Sequence, residues 1–134
     1  MSKQKGGPKG WKDLPIGGMI TEAGNAATYN TGAWRSEKPI WIEENCIQCL
    51  FCWIYCPDSS VTTKDGKRAA FDYMHCKGCG VCAMECPSKV KAIVMVPEAD
   101  GSAPDILDRA KAIAKKMADE KAAEKAAGKE AKDA

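Results

Sequence analysis

The chain has 134 residues, enough for one small domain with flanking segments, because an ordinary domain needs about 100 residues to enclose a core. Its 20 basic and 18 acidic residues nearly cancel, so charge alone indicates neither a nucleic acid nor a membrane surface as a partner. The sequence contains no apolar run of about 18 residues, and no apolar signal segment follows its basic N-terminus. We therefore expect a soluble, cytoplasmic protein.

The first segment, residues 1–38, is rich in turn-forming residues and has no sustained helical or strand periodicity. Apolar residues interrupt it, among them Trp11 and Trp34. Such a segment cannot bury these side chains on itself. We predict an extended arm that binds a partner, and favour it over a disordered leader because disordered leaders seldom carry tryptophan.

All eight cysteines lie in the middle of the chain, in two runs of the form C-x2-C-x2-C-x3-C-P. The first run comprises Cys46, Cys49, Cys52, Cys56 and Pro57, and the second repeats it thirty residues later as Cys76, Cys79, Cys82, Cys86 and Pro87. This internal repeat predicts a pseudo-twofold domain, to which we assign residues 39–96.

Short strands are predicted around the two cysteine runs. Residues 39–42 precede the first run, residues 93–96 follow the second, and a hairpin with an Asp65-Gly66 turn lies between them. A short helix is expected after each ligand loop. The predicted fold is α+β with the order βαββαβ, an extended N-terminal arm and a C-terminal helix.

The C-terminal segment, residues 97–134, consists mostly of Ala, Lys, Glu and Asp. Pro104 and Asp105 predict the start of a helix, and Gly128 predicts its end. Apolar residues recur on one helix face, at Ile106, Ala110, Ile113 and Met117. So narrow a stripe favours a solvated helix, and docking on another subunit is the alternative.

The cysteine spacing predicts two 4Fe-4S clusters. Three cysteines at C-x2-C-x2-C supply one cluster, and the fourth, which precedes proline, ligates the cluster of the other run. We assign cluster 1 to Cys46, Cys49, Cys52 and Cys86, and cluster 2 to Cys76, Cys79, Cys82 and Cys56. Structural zinc is the main alternative, but it does not explain the third cysteine and the Cys-Pro pair of each run. Disulfides are disfavoured by the expected cytoplasmic location.

The two ligand loops differ in polarity. Leu50 and Phe51 make the first loop bulky and apolar, whereas Gly78 and Gly80 make the second lean. We hypothesise that cluster 2 lies nearer solvent and cluster 1 nearer protein. With His75 as the only histidine and no spare cysteine, we expect no active-site chemistry on this chain.

Residues 46–87 resemble the bacterial ferredoxins that carry two 4Fe-4S clusters. A wider set of motifs resembles the delta subunit of pyruvate and related 2-oxoacid:ferredoxin oxidoreductases. These motifs are GWKDLPIGG at residues 10–18, GAWR at 32–35, CIQCLFCWIYCPD at 46–58 and HCKGCG at 75–80.

The resemblance implies a non-catalytic electron-transfer subunit. Separate alpha, beta and gamma subunits, or fused equivalents, would bind thiamine diphosphate with Mg²⁺, the 2-oxoacid and coenzyme A. This chain would pass electrons to a soluble ferredoxin or to a flavin- or NAD-linked subunit, with no nucleic-acid or membrane partner. A free-standing low-potential ferredoxin is one alternative, and an assembly module whose metal only holds an interaction surface is another.

Overall fold

The computed structural model describes the backbone of residues 10–130 and the side chains of residues 10–123. The ends of the predicted arm and tail, residues 1–9 and 131–134, lie outside the described residues. The chain divides into two compact units, Met1–Asn30 and Thr31–Ala134. The cysteine runs belong to the second unit.

The described part of the first unit is a succession of turns. It contains the 3-10 helices Trp11–Asp13, Ile16–Gly18 and Asn25–Thr28. None of the residues in these helices is buried, and Trp11 and Ile16 are 80% and 95% exposed. The first segment, whose sequence has no helical or strand periodicity, thus forms short local turns, and its apolar side chains are exposed.

Four strands of the second unit form two antiparallel pairs. The strands are β1 (Glu37–Trp41), β2 (Val61–Lys64), β3 (Lys67–Phe71) and β4 (Ile93–Pro97). β1 pairs with β4, so that Glu37 lies opposite Pro97 and Trp41 opposite Ile93. Because β1 precedes the first cysteine run and β4 follows the second, this pairing closes the cysteine-bearing segment at its two ends.

The second pair, β2 with β3, is the predicted hairpin. Asp65 and Gly66 connect the strands with φ values of 52° and 73°. A type I′ turn needs positive φ at both central residues, and an Asp-Gly pair adopts these values at little steric cost. The predicted turn is confirmed.

Two one-turn helices, α1 (Phe51–Ile54) and α2 (Val81–Met84), follow the two ligand loops as predicted. The long helix α3 spans Ile106–Glu130. It starts close to the predicted Pro104 but continues past Gly128, which therefore does not end it; a glycine inside a helix costs only about 1 kcal/mol relative to alanine. Among the described residues, no helix has the length and apolar character that a membrane crossing requires.

Helix α3 packs on the sheet formed by β1 and β4, and not in solvent as the sequence favoured. The apolar core between them consists of Ile40, Ile42, Val94, Val96, Ala110 and Ala114, with Ile106 at its edge. Ala110 and Ala114 are fully buried, whereas Ile113 and Met117 are 37% and 41% exposed. The predicted stripe was wrong in its second half, because the close approach of helix to sheet selects alanine at this position and leaves the larger side chains at the margin.

Replacing Ala114 with leucine should destabilise the second unit, because a fully buried alanine leaves no room for three further carbon atoms. Overpacking of this kind costs about 1–3 kcal/mol. The measurement is urea unfolding of Ala114→Leu beside Ala112→Leu, which adds the same side chain at an exposed position of α3. Equal unfolding midpoints would contradict the packing of α3 on the sheet.

Candidate metal centres

Two cavities of about 330 Å³ each, a volume that includes solvent at their mouths, lie in the second unit. Cavity 1 is lined by Cys46, Cys49, Cys52 and Cys86. Cavity 2 is lined by Cys56, Cys76, Cys79 and Cys82. The structure therefore groups three cysteines of each run with the fourth of the other run, the grouping that the spacing predicts. The iron ligation itself stays a prediction.

Left-handed backbone lets each ligand loop curl around its cavity. In the first loop Gln48 and Leu50 have φ values of 55° and 61°; in the second loop Gly78 and Gly80 have 68° and 77°. These residues flank the second cysteine of each run, at equivalent positions. Glycine adopts this conformation freely, whereas other residues pay about 1–2 kcal/mol. The first loop is therefore strained at two positions where the second is not.

The backbone of β1 lies so close to Gly78 that there is no space for a side chain at this residue. A Cβ atom on Gly78 would lie 2.1 Å from the carbonyl oxygen of Glu37, whereas one on Gly80 would meet nothing nearer than Met95 at 3.9 Å. The second ligand loop thus packs directly on the backbone at the start of β1. A side chain at residue 78 is excluded by space as well as by φ.

None of the eight cysteines is in a disulfide, and Cys52, Cys76 and Cys82 are buried. Burial raises the pKa of Cys82 to about 12 and also raises the pKa values of Cys52 and Cys76. Without a metal these thiols stay protonated at neutral pH, so metal binding must release their protons. The backbone N–H of Ser60 donates to the Cys56 sulfur at 3.2 Å.

The donor set fits two iron-sulfur clusters, because each cavity is surrounded by four thiols and closed by apolar side chains such as Val61, Phe71 and Ile93. Among the residues with described side chains, no three His, Cys, Asp or Glu groups approach closely enough to hold a single ion. The four thiols of each cavity therefore surround a space and do not converge on the position of one ion.

The cavities lie side by side. Cys52 of cavity 1 and Cys82 of cavity 2 belong to one apolar core with Val61 and Ile93. Each cavity is therefore separated from the other by packed side chains and not by solvent. Groups held in the two cavities would therefore be neighbours across this packed core.

Arg35 supports the second ligand loop, a role that the sequence did not indicate. Its guanidinium forms a two-point ion pair with Glu98, at 2.6 Å and 2.8 Å. The same group donates to the carbonyl oxygens of Tyr73 at 2.6 Å and Cys76 at 3.2 Å. Arg35 thus ties the chain entering β1 to the chain leaving β4 and to the first cysteine of the second run. The pair with Arg35 lowers the pKa of Glu98, which keeps that carboxylate charged.

Lys91 also has a structural role that the sequence did not indicate. Its ammonium group donates to the carbonyl oxygens of Ala83, Met84 and Cys86, each at 2.9 Å. A cation at the C-terminus of a helix satisfies carbonyl groups that have no partner within the helix. Lys91 therefore fixes the end of α2 and, with it, the backbone of the last cysteine.

Arg68, on β3, is the third residue that sequence reasoning missed, and it lines cavity 1. It is 4% exposed, and its guanidinium stacks on Trp41 and Phe71, 4.0 Å and 4.3 Å from the ring centres. Its backbone N–H donates to the Gln48 side chain at 2.9 Å, which joins β3 to the first ligand loop. No sequence signal separates Arg68 from the exposed lysine beside it.

Comparison with known proteins supplies the identity that the geometry leaves open. Residues 45–90 match the family model of the 4Fe-4S dicluster domain. The pyruvate synthase subunit PorD of Thermotoga maritima is 50% identical over 92 residues, which cover 69% of this chain and 91% of that protein. The chain belongs to the delta-subunit family of 2-oxoacid:ferredoxin oxidoreductases.

Two further members of the delta-subunit family show its range. The pyruvate synthase subunit PorD of Methanocaldococcus jannaschii is 40% identical over 85 residues, covering 63% of this chain and 96% of that protein. The ketoisovalerate oxidoreductase subunit VorD of Pyrococcus furiosus is 47% identical over 75 residues, covering 56% and 70%. The predicted family is confirmed: this delta-family chain is an electron-transfer subunit with two 4Fe-4S clusters.

The contrast between Gly78 and Gly80 can be measured. Gly80→Ala should cost only the left-handed backbone penalty, about 1–2 kcal/mol. Gly78→Ala adds a clash with the Glu37 carbonyl and should cost about 1–3 kcal/mol more. The readout is the urea concentration at which half of the visible cluster absorption is lost, recorded anaerobically. If both variants lose their colour at the same urea concentration, the close packing of the loop on β1 is not needed to hold the cluster.

Proposed function

We propose that this chain carries the outer two clusters of a 2-oxoacid:ferredoxin oxidoreductase and connects its catalytic subunits to an electron acceptor. The clusters, when bound, supply one-electron redox chemistry. The chain's own residues hold them, keep them adjacent and exclude water. The observation that carries this proposal is the pair of neighbouring four-thiol cavities.

The ligand sets are part of the proposal. Cluster 1 would bind to Cys46, Cys49, Cys52 and Cys86, and cluster 2 to Cys76, Cys79, Cys82 and Cys56. The lining of the two cavities supports this crossed arrangement. The repeated left-handed positions around Cys49 and Cys79 support a pseudo-twofold relation between the halves.

The partners proposed upstream are alpha, beta and gamma subunits, or fused equivalents, that carry thiamine diphosphate, Mg²⁺ and coenzyme A and decarboxylate a 2-oxoacid. The relatives' names specify pyruvate in some cases and ketoisovalerate in another, so the substrate class proposed here is the 2-oxoacids. Downstream we propose a soluble ferredoxin or a flavin- or NAD-linked subunit.

An exposed apolar surface beside cavity 1 supports a partner subunit there. Phe51 and Trp53 on α1 are 42% and 47% exposed, and Ile54 and Tyr55 beside them are 61% and 50% exposed. Several large apolar side chains exposed close together in sequence are typical of a protein-protein contact. We propose that it faces protein in the complex, which would make cluster 1 the inner cluster, while the exposed Cys79 marks cluster 2 as the outer one.

The domain division proposed is an arm at residues 1–38, a cluster domain at 39–96 and a helical tail at 97–134. The exposed side chains of Trp11 and Ile16 support a partner-binding arm. A cytoplasmic location is proposed because eight cysteines at metal-ligand spacing, none of them in a disulfide, are typical of a reducing compartment.

Anaerobic purification of the tagged chain from its host tests the assignment to an enzyme. We expect large thiamine-binding chains to copurify, with about eight irons on this subunit. Mass spectrometry identifies the chains and metal analysis counts the iron. Recovery of the chain alone with the same iron content would instead support a free ferredoxin, and bound metal without redox activity would support an assembly module.

Paired substitutions test the crossed ligation. If Cys56 and Cys76 serve one cluster, the double variant Cys56→Ala with Cys76→Ala should keep about four irons. Cys56→Ala with Cys46→Ala removes a ligand from each cluster and should keep far fewer. Uncrossed ligation predicts the reverse order, so iron content per chain and electron paramagnetic resonance of the two reduced variants decide between the arrangements.

A further inference from the structure

Arg68 carries a buried positive charge. Three of its nitrogen atoms, Nε, Nη1 and Nη2, are inaccessible and form no hydrogen bond within the described part of the chain. No carboxylate among the described side chains lies within ion-pair distance of it. Buried charges are normally paired, because the loss of hydration costs several kcal/mol per ion. The buried guanidinium therefore lacks a carboxylate partner among the described side chains and needs another anion beside it.

The position of the guanidinium indicates where that anion belongs. Arg68 lines cavity 1, and the thiol groups that interact electrostatically with its charge are those of Cys52, Cys46 and Cys82. Trp41 and Phe71 also contact the guanidinium by cation-π interaction. Its donors are thus buried in the lining of cavity 1, beside Cys46 and Cys52, with Cys82 as the one neighbouring thiol that belongs to cavity 2.

Beside cavity 2, the buried guanidinium of Arg35 donates to the Cys76 carbonyl but is already paired with Glu98. Cavity 2 therefore has no unpaired buried cation among its described lining residues. Its one lysine, Lys77, is 37% exposed, and its ammonium group is paired with Asp58 at 2.5 Å. That charge is neutralised locally and screened by solvent. The two cavities have the same thiol donors but differ in the fixed charge beside them.

We propose that Arg68 is a positioning residue for cluster 1, whose guanidinium pairs with the anionic cluster and its thiolates and raises the reduction potential of that cluster relative to cluster 2. The inference rests on the proposed binding of two clusters. Reduction adds one electron and therefore one negative charge to the cluster. A fixed positive charge and hydrogen bonds to sulfur stabilise the reduced form more than the oxidised form.

The consequence for the subunit is an uneven electron distribution. Cluster 1 holds the electron more strongly, so that an electron arriving from a partner at the exposed α1 surface rests there before it reaches cluster 2. Arg68 sets this order without touching the substrate or the acceptor.

The test is a potentiometric titration of the complete chain in its native complex, followed by electron paramagnetic resonance. Arg68→Gln removes the charge but keeps an amide donor. We expect the ratio of reduced to oxidised cluster 1 at a fixed potential to fall at least tenfold, which for one electron is about 59 mV. Cluster 2 should shift by less than half as much. Cluster 1 is identified as the signal that Cys46→Ala removes.

Two matched variants distinguish the effect of the buried Arg68 charge from that of a nearby surface charge and from that of the guanidinium shape. Lys67→Met removes an exposed charge from the neighbouring residue and should leave both potentials unchanged. Arg68→Lys keeps the charge without the planar fork and should fall between the native protein and Arg68→Gln. Should Arg68→Gln lose cluster 1, the titration is made on Arg68→Lys, where a shift of cluster 1 alone is the expected result.

Unchanged potentials in Arg68→Gln, with iron content intact, would overturn the inference, as would equal shifts of both clusters. Unchanged potentials in Arg68→Lys, if only that variant retains iron, would overturn it too. These outcomes leave the proposed function standing. A native chain that binds no iron would instead remove the proposed function itself, so the two failures are distinguishable.

Discussion

The tight curl of two short loops around their thiols is the constraint on which the second unit depends. In each loop three cysteines within seven residues face one cavity, and the backbone is left-handed on both sides of the middle one. The second loop meets this with Gly78 and Gly80, and the first meets it with Gln48 and Leu50 at a steric cost. A hydrogen bond from β3 to the Gln48 side chain helps to hold the costlier loop.

The second unit has two hydrophobic cores of different composition. Between α3 and the sheet of β1 and β4 lies an aliphatic core of the usual kind. Around the cavities, cysteines take the place of aliphatic residues, since Cys52 and Cys82 are core members there. The first core needs no cofactor, whereas the second is completed only when the thiols have a ligand. Folding and cluster binding are therefore coupled most strongly on one side of the molecule.

The parts of the fold that follow from local chemistry could be predicted from the sequence. The Asp65-Gly66 turn depends on two residues, and the grouping of cysteines around the cavities follows from their spacing. Long-range packing could not be predicted in the same way. Helical periodicity favours Ile113 and Met117, but the sheet accepts only the small Ala114 at closest approach. The burial of Arg68 depends on Trp41 and Phe71, which are brought together by strands distant in sequence.

The pairing of the first strand with the last has an architectural consequence. Because Glu37 lies opposite Pro97, the chain enters and leaves the cysteine-bearing segment at one place. Arg35 and Glu98 clamp that place shut just outside the strands. A segment whose entry and exit coincide can be spliced into a longer polypeptide, or cut and rejoined in a different order, without stretching its interior. The same geometry makes it a transferable module.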